Sequence, residues 1–191
     1  MNARHNNIRD MESKLLQVVC RDVETEPHLQ KVVNKQSYAS NANTDDDARS
    51  DIRARGFWRQ GQNAFFDVRV TNANCKSQRD MKIEAVLRKH EQEKKRAYNR
   101  RVMEVEHGSF TPLVFTTSGV MSHECTRYHK ALAEKLSEKR NERYVIMRYL
   151  RVKLSFLSLK ATLLCLRGSR GGNAIIENGE DFGFSLDELG L

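Results

Sequence analysis

Apolar and polar positions alternate over residues 63–70, NAFFDVRV, so that Phe66, Val68 and Val70 share one face of an extended chain while Asp67 and Arg69 share the other. Residues 51–58, DIRARGFW, alternate as well, and the polar, glycine-containing RQGQ separates the two runs. Together they predict a β-hairpin. SFTPLVFTTSG, 109–119, predicts a third strand, with Pro112 near its start, where a missing N–H is tolerated. Helical spacing of apolar residues marks 7–22 (Ile8, Met11, Leu15, Val18, Val19), 82–105, 123–140 (Leu132 and Leu136 inward) and 143–166 (Val145, Tyr149, Val152, Phe156, Leu159, Leu163). RGSRGG at 167–172 stops the last helix. The order helix, hairpin, helix, strand, helix, helix predicts an α/β or α+β fold: a small mixed sheet with a hairpin, flanked by helices. One domain is expected over 1–172, with 1–37 as an N-terminal helix and extension, followed by a disordered acidic tail at 173–191.

Charge changes this picture. The 191 residues carry 33 Lys and Arg against 25 Asp and Glu, a net charge of +8. All the basic residues and 20 of the acids fall at or before Arg170, which gives that part +13. A basic body favours a polyanionic partner, most simply nucleic acid and DNA first, or else is ordinary solubility charge. The cysteines, Cys20, Cys75, Cys125 and Cys165, are widely and irregularly spaced. They read as free thiols of a reducing compartment, the cytoplasm or nucleus. The polar start MNARHNNIRD predicts no signal peptide, and Arg148, Arg151, Lys153 and Lys160 break the last apolar stretch, so no membrane span is expected. Neither a P-loop nor a dinucleotide fingerprint is present.

A carboxylate inside an apolar strand needs a partner, a metal or water. For Asp67 the plain reading is a structural ion pair or a half-exposed strand. A second reading starts from Asp51, which opens the other arm of the hairpin. Two carboxylates brought together across a hairpin repel, and a divalent cation such as Mg²⁺ relieves the repulsion. The helix at 82–105 has an unusual inner stripe. Ile83, Val86, Leu87, Ala97 and Val105 define it, yet His90, Lys94 and Arg101 fall inside it and Tyr98 at its edge. These are either snorkelling side chains or cations leaning over the Asp-bearing strand. Two acids, a metal and a lysine suffice for phosphodiester hydrolysis.

Asp51, a hairpin, Asp67-Val68-Arg69, and a helix with Lys94-x-x-x-Tyr98 resemble the PD-(D/E)xK restriction-endonuclease-like superfamily over residues 51 to about 119. The resemblance implies a restriction-endonuclease-like core with Asp51, Asp67, Arg69 and Lys94 as catalytic residues. It also implies Mg²⁺ held by Asp51, Asp67 and the Val68 carbonyl. Arg69 stands where Lys is usual, and Lys94 where Gln is usual. Arg stays protonated and cannot act as a base, so either Lys94 has taken over the lysine role or the site only binds. RHNNIRD, NTDDDARSDIRARGFW, AFFDVRV, HGSFTPLVFTTSG and CLRGSRG are similar to the C-terminal region of reverse-transcriptase polyproteins of eukaryotic retroelements. That resemblance implies a DNA endonuclease, or its inactive remnant, working beside a reverse-transcriptase region. It also implies a preceding zinc knuckle in which His5 would be a late ligand; alone, His5 is not expected to hold zinc. Lys95, Tyr98, Arg101, Arg167 and Arg170 are candidate DNA contacts.

Three smaller candidates remain. On a helix, Cys125 and His129 of His123-x-Cys125-x-x-x-His129 share a face that His123 does not, so no zinc site is expected. Glu124 suits a helix start. Thr117, Ser118 and Gly119 form either a phosphate cradle or a plain turn.

Overall fold

The alternating run folds as Asn63–Thr71, the third strand of a four-stranded sheet. The structure is a computed structural model that describes residues 2–73, 75, 78, 81–137, 146–155 and 159. In chain order the elements are α1 (Asn2–Val19), β1 (Arg21–Thr25), a 3-10 turn at Lys35–Ser37, β2 (Ile52–Arg55), β3 (Asn63–Thr71), α2 (Ile83–Glu104), β4 (Ser109–Thr116) and α3 (His123–Ser137). Residues 146–155 are also helical. The strands lie in the order β1-β2-β3-β4. β2 runs antiparallel to both its neighbours, and β4 is parallel to β3. A parallel neighbour needs a long crossover, and α2 supplies it. The protein is a mixed α and β structure with helices flanking a mixed sheet, as its pattern predicts.

Alternation along β3 separates two packing layers. Ala64, Phe66 and Val68 join Leu113 and Phe115 of β4, Ile52 and Ala54 of β2, and Ile8, Leu15 and Leu16 of α1 in the larger core. Tyr128, Leu132 and Leu136 of α3 complete it, with Ile146, Leu150 and Leu154. Phe65, on the other face, meets Leu29, Ala48, Val102 and Phe110 in a smaller cluster beneath α2. Each fully buried large side chain of these layers contributes about 1.5–3 kcal/mol of hydrophobic stabilisation. Helix α1 is thus part of the core and not an appendage. Gly108 lets β4 enter beside β3: a Cβ there would lie 2.7 Å from the Asn63 carbonyl oxygen.

Three expectations need correction. β1 was not anticipated, because RDVET has Val23 as its only apolar residue and exposes both ends. It is an edge strand with a register shift, and its charges blunt that edge. The first hairpin arm is shorter than 51–58. Gly56 and Gly61 adopt positive φ and turn the chain early. Phe57 thereby leaves the strand and packs edge-on against Phe66. In the last helix the buried positions are Ile146, Leu150 and Leu154, whereas Val152 and Leu159 are exposed. Two apolar stripes lie side by side there, about 100° apart, and periodicity alone does not choose between them. Val145, Phe156, Leu163, Arg167, Arg170 and the 173–191 tail lie outside the described residues. Among the described residues, no helix is long and apolar enough to cross a membrane. Cys20 and Cys125 are free thiols.

Candidate active site

Asp67 finds its partner on α2. Its Oδ2 lies 2.7 Å from the Lys94 ammonium, and both side chains are largely buried. The contact is a charge pair, because Oδ2 has no aligned hydrogen-bond donor. Lys94 thus points at the sheet, as its place in the inner stripe of α2 predicts. Burial pushes the Asp67 carboxyl up to about 6; Lys94 opposes the rise and the nearby charge of Asp51 adds to it.

Asp51 arrives by a different route. Ile52 pairs with Phe66 in the β2–β3 ladder, but β2 starts at Ile52. Val68, the next β3 residue facing β2, would otherwise leave its N–H unpaired. The carboxylate of Asp51 takes that place, with its Oδ2 accepting the Val68 N–H at 2.6 Å. Ser50 adds a second side-chain tie to β3, its Oγ donating to the Phe66 carbonyl at 2.9 Å. The N–H and C=O of one strand residue point the same way, so the Val68 carbonyl faces the flank that Asp51 closes. His5 of α1 donates from Nε2 to the same Asp51 Oδ2 at 3.0 Å. That hydrogen bond raises the His5 pKa above its ordinary value, against the effect of burial.

The rest of the inner stripe of α2 is polar at its centre and satisfied. His90 bonds Thr71 and Gln78 through Nε2 and Glu93 through Nδ1. Glu91 accepts the Glu124 N–H at the start of α3. Neither Glu93 nor Glu91 was singled out from sequence; at about 100° per residue Glu91 falls just past Tyr98 at the edge of the stripe. Arg69 does not pair with Asp67. It is half-exposed and 3.7 Å from Glu93.

Several candidate DNA contacts have other roles. Arg101 is 1% exposed. Its guanidinium donates to the carbonyls of Leu29, Gln30, Asn43 and Asp45, which ties the 26–50 segment onto α2. A cation so enclosed does not reach DNA; the stripe placed it correctly, but its partners are backbone oxygens. Tyr98 stacks on Phe110 and accepts a hydrogen bond from Asn43. Lys95 turns away to Glu124. The turn after β4 is internally bonded, Thr116 Oγ1 accepting the Val120 N–H and meeting the Ser118 hydroxyl. Cys125 and His129 share a buried face, where His129 binds Glu12.

The donor set suits a hard cation. Two carboxylates and a backbone carbonyl, all oxygen, are what Mg²⁺ takes alongside water, and one of those carboxylate oxygens is buried with only an ammonium beside it. Among the described residues no group of three or more His, Cys, Asp or Glu side chains is placed to hold a metal ion, so waters would complete the shell. Compared with known proteins, the chain matches no family model and no curated sequence.

Proposed function

We propose that the chain is a Mg²⁺-dependent DNA endonuclease domain derived from a mobile element, which hydrolyses phosphodiester bonds beside the reverse-transcriptase region of its parent. The observation that carries this reading is the buried Asp67–Lys94 pair, with Asp51 close enough to raise the proton affinity of Asp67. Asp51, Asp67 and the Val68 carbonyl would hold the metal, which supplies an activated water and charge neutralisation at phosphate. Arg69 and Lys94 would position the phosphate and stabilise the charge that develops on it. Keeping Asp67 ionised in the fold at pH 7.5, against a carboxyl raised from 3.8 to about 6, costs on the order of 3 kcal/mol. The raised carboxyl contributes its full stability below pH 3.8, and that contribution is lost as pH rises through 6.

Asp67→Asn therefore has two expected effects. Nicking of supercoiled plasmid in Mg²⁺ falls by at least two orders of magnitude, the scale of losing a transition-state stabiliser. The melting temperature at pH 7.5 holds or rises, and the gain shrinks toward pH 4. Retained cleavage in this variant rejects the assignment.

A second reading, a DNA-binding module without catalysis, is favoured by one feature: the Lys94 ammonium already occupies the Asp67 oxygen a metal would use. Both readings require a salt-dependent DNA interaction. The +13 of residues 1–170 should displace counterions, so duplex affinity should drop steeply between 50 and 200 mM salt, by about 10³ for six phosphate contacts. Filter binding at several salt concentrations measures this, and a flat response removes DNA as the partner.

A further inference from the structure

Asp51 lies in a bend before β2 and not in the ladder, so strand pairing does not orient its side chain. Two groups do. The Val68 amide and the His5 imidazole converge on the same oxygen, Oδ2, at 2.6 and 3.0 Å. His5 comes from the opposite layer of the molecule, in the first turns of α1. Its helix is fixed one turn later by Ile8 and again by Glu12, Leu15 and Leu16, all buried. Residues 5, 8, 12 and 15 fall on one stripe at spacings of three and four, so the packing of α1 sets where His5 stands. The ring is steadied from the other side by Asn6, whose Oδ1 lies 3.3 Å from Nδ1.

We infer that His5 is a positioning residue: it pins the Asp51 carboxylate against the Val68 amide and thereby fixes how Asp51 is presented beside Asp67. The consequence for metal binding rests on the endonuclease reading above; the pinning itself does not. In metal sites, groups that orient a ligating carboxylate carry affinity without touching the ion. His5 is such a group, held on a rigid helix.

The experiment uses the full chain in three forms: wild type, His5→Ala and His5→Gln. Gln keeps an N–H donor near the position of Nε2. Amide hydrogen exchange is followed at Val68, with Leu113 and Leu132 as reporters of global opening. In His5→Ala, exchange at Val68 should quicken about tenfold while Leu113 and Leu132 stay unchanged, and His5→Gln should restore most of the protection. In parallel, Mn²⁺ alone is titrated into each protein and followed by water-proton relaxation. His5→Ala should weaken Mn²⁺ binding 10–100-fold, with recovery in His5→Gln. Unchanged exchange at Val68, equal acceleration at all three amides, or failure of Gln to rescue overturns the proposal. So does Mn²⁺ affinity that ignores His5 while Val68 responds, since His5 would then brace the fold alone. If the wild type binds no Mn²⁺, the metal-site reading fails by itself, and the Val68 amide still decides the role of His5.

Discussion

Lys94→Met is expected to lower Mg²⁺-dependent plasmid cleavage by 10²- to 10³-fold, the range for losing one preorganised charge stabiliser, while Arg96→Met leaves it nearly unchanged. Both substitutions remove one positive charge from α2. Only Lys94 reaches the buried carboxylate of Asp67; Arg96 is exposed, with a 3.4 Å contact to Gln92. Stability separates chemistry from folding. Lys94→Met leaves Asp67 buried without its cation, and breaking such a pair costs up to about 3–5 kcal/mol. Protonation of Asp67 limits the loss. Since the carboxyl would rise further, the variant should match wild type most closely near pH 4 and fall behind as pH rises through 6 and above. The double variant Asp67→Asn with Lys94→Met should recover thermal stability at pH 7.5 and stay inactive. Equal losses from Lys94→Met and Arg96→Met would make Lys94 one of many phosphate-facing charges.

Lys94 was legible in the sequence because a 100° period places it among Val86, Leu87 and Ala97. A cation in an apolar stripe requires an acid across from it, and β3 offered Asp67. The same reasoning treats Arg101 identically, and there it stops short. Arg101 meets four carbonyls of the 26–50 segment, and no local pattern says where an irregular segment runs. That segment also delivers Asp51, so the hairpin pattern located the residue but not the way its carboxylate replaces a strand partner at Val68. β1 left no trace, since an exposed edge strand has no apolar alternation to read. His5 was visible only as a possible zinc ligand. Helical period gives the face it occupies, but its pairing with Asp51, 46 residues away, depends on how α1 docks.

That docking has its own polar anchor, and Glu12→Ala is expected to destabilise the fold by about 3–5 kcal/mol, the cost of removing one partner of a buried pair. Glu12 and His129 are both fully buried. Glu12 accepts from His129 Nε2 at 2.9 Å and from the Tyr128 hydroxyl at 3.0 Å. His129 Nδ1 donates to the Cys125 carbonyl at 2.9 Å. Both ring nitrogens face oxygen atoms, the arrangement that suits an imidazolium joined to a carboxylate between α3 and α1. Burial alone would lower the His129 pKa, but Glu12 and the Cys125 carbonyl raise it above 6.5 on balance. The sign follows: the stabilisation is complete below pH 6.5 and is lost as pH rises through the raised folded-state value. Urea unfolding from pH 6 to 9, with the His129 ring followed by NMR, measures both parts. A double-mutant cycle with His129→Ala should show strong coupling, because each single change strands the other group. A loss below 1 kcal/mol in Glu12→Ala, or a His129 ring that titrates below 6.5, would show that the pair does not hold the helices together. Since Glu12 and His5 lie two turns apart on the same stripe of α1, weakening this anchor should also quicken exchange at the Val68 amide. The buried pair in the core and the carboxylate at the sheet's flank would then be linked through one helix.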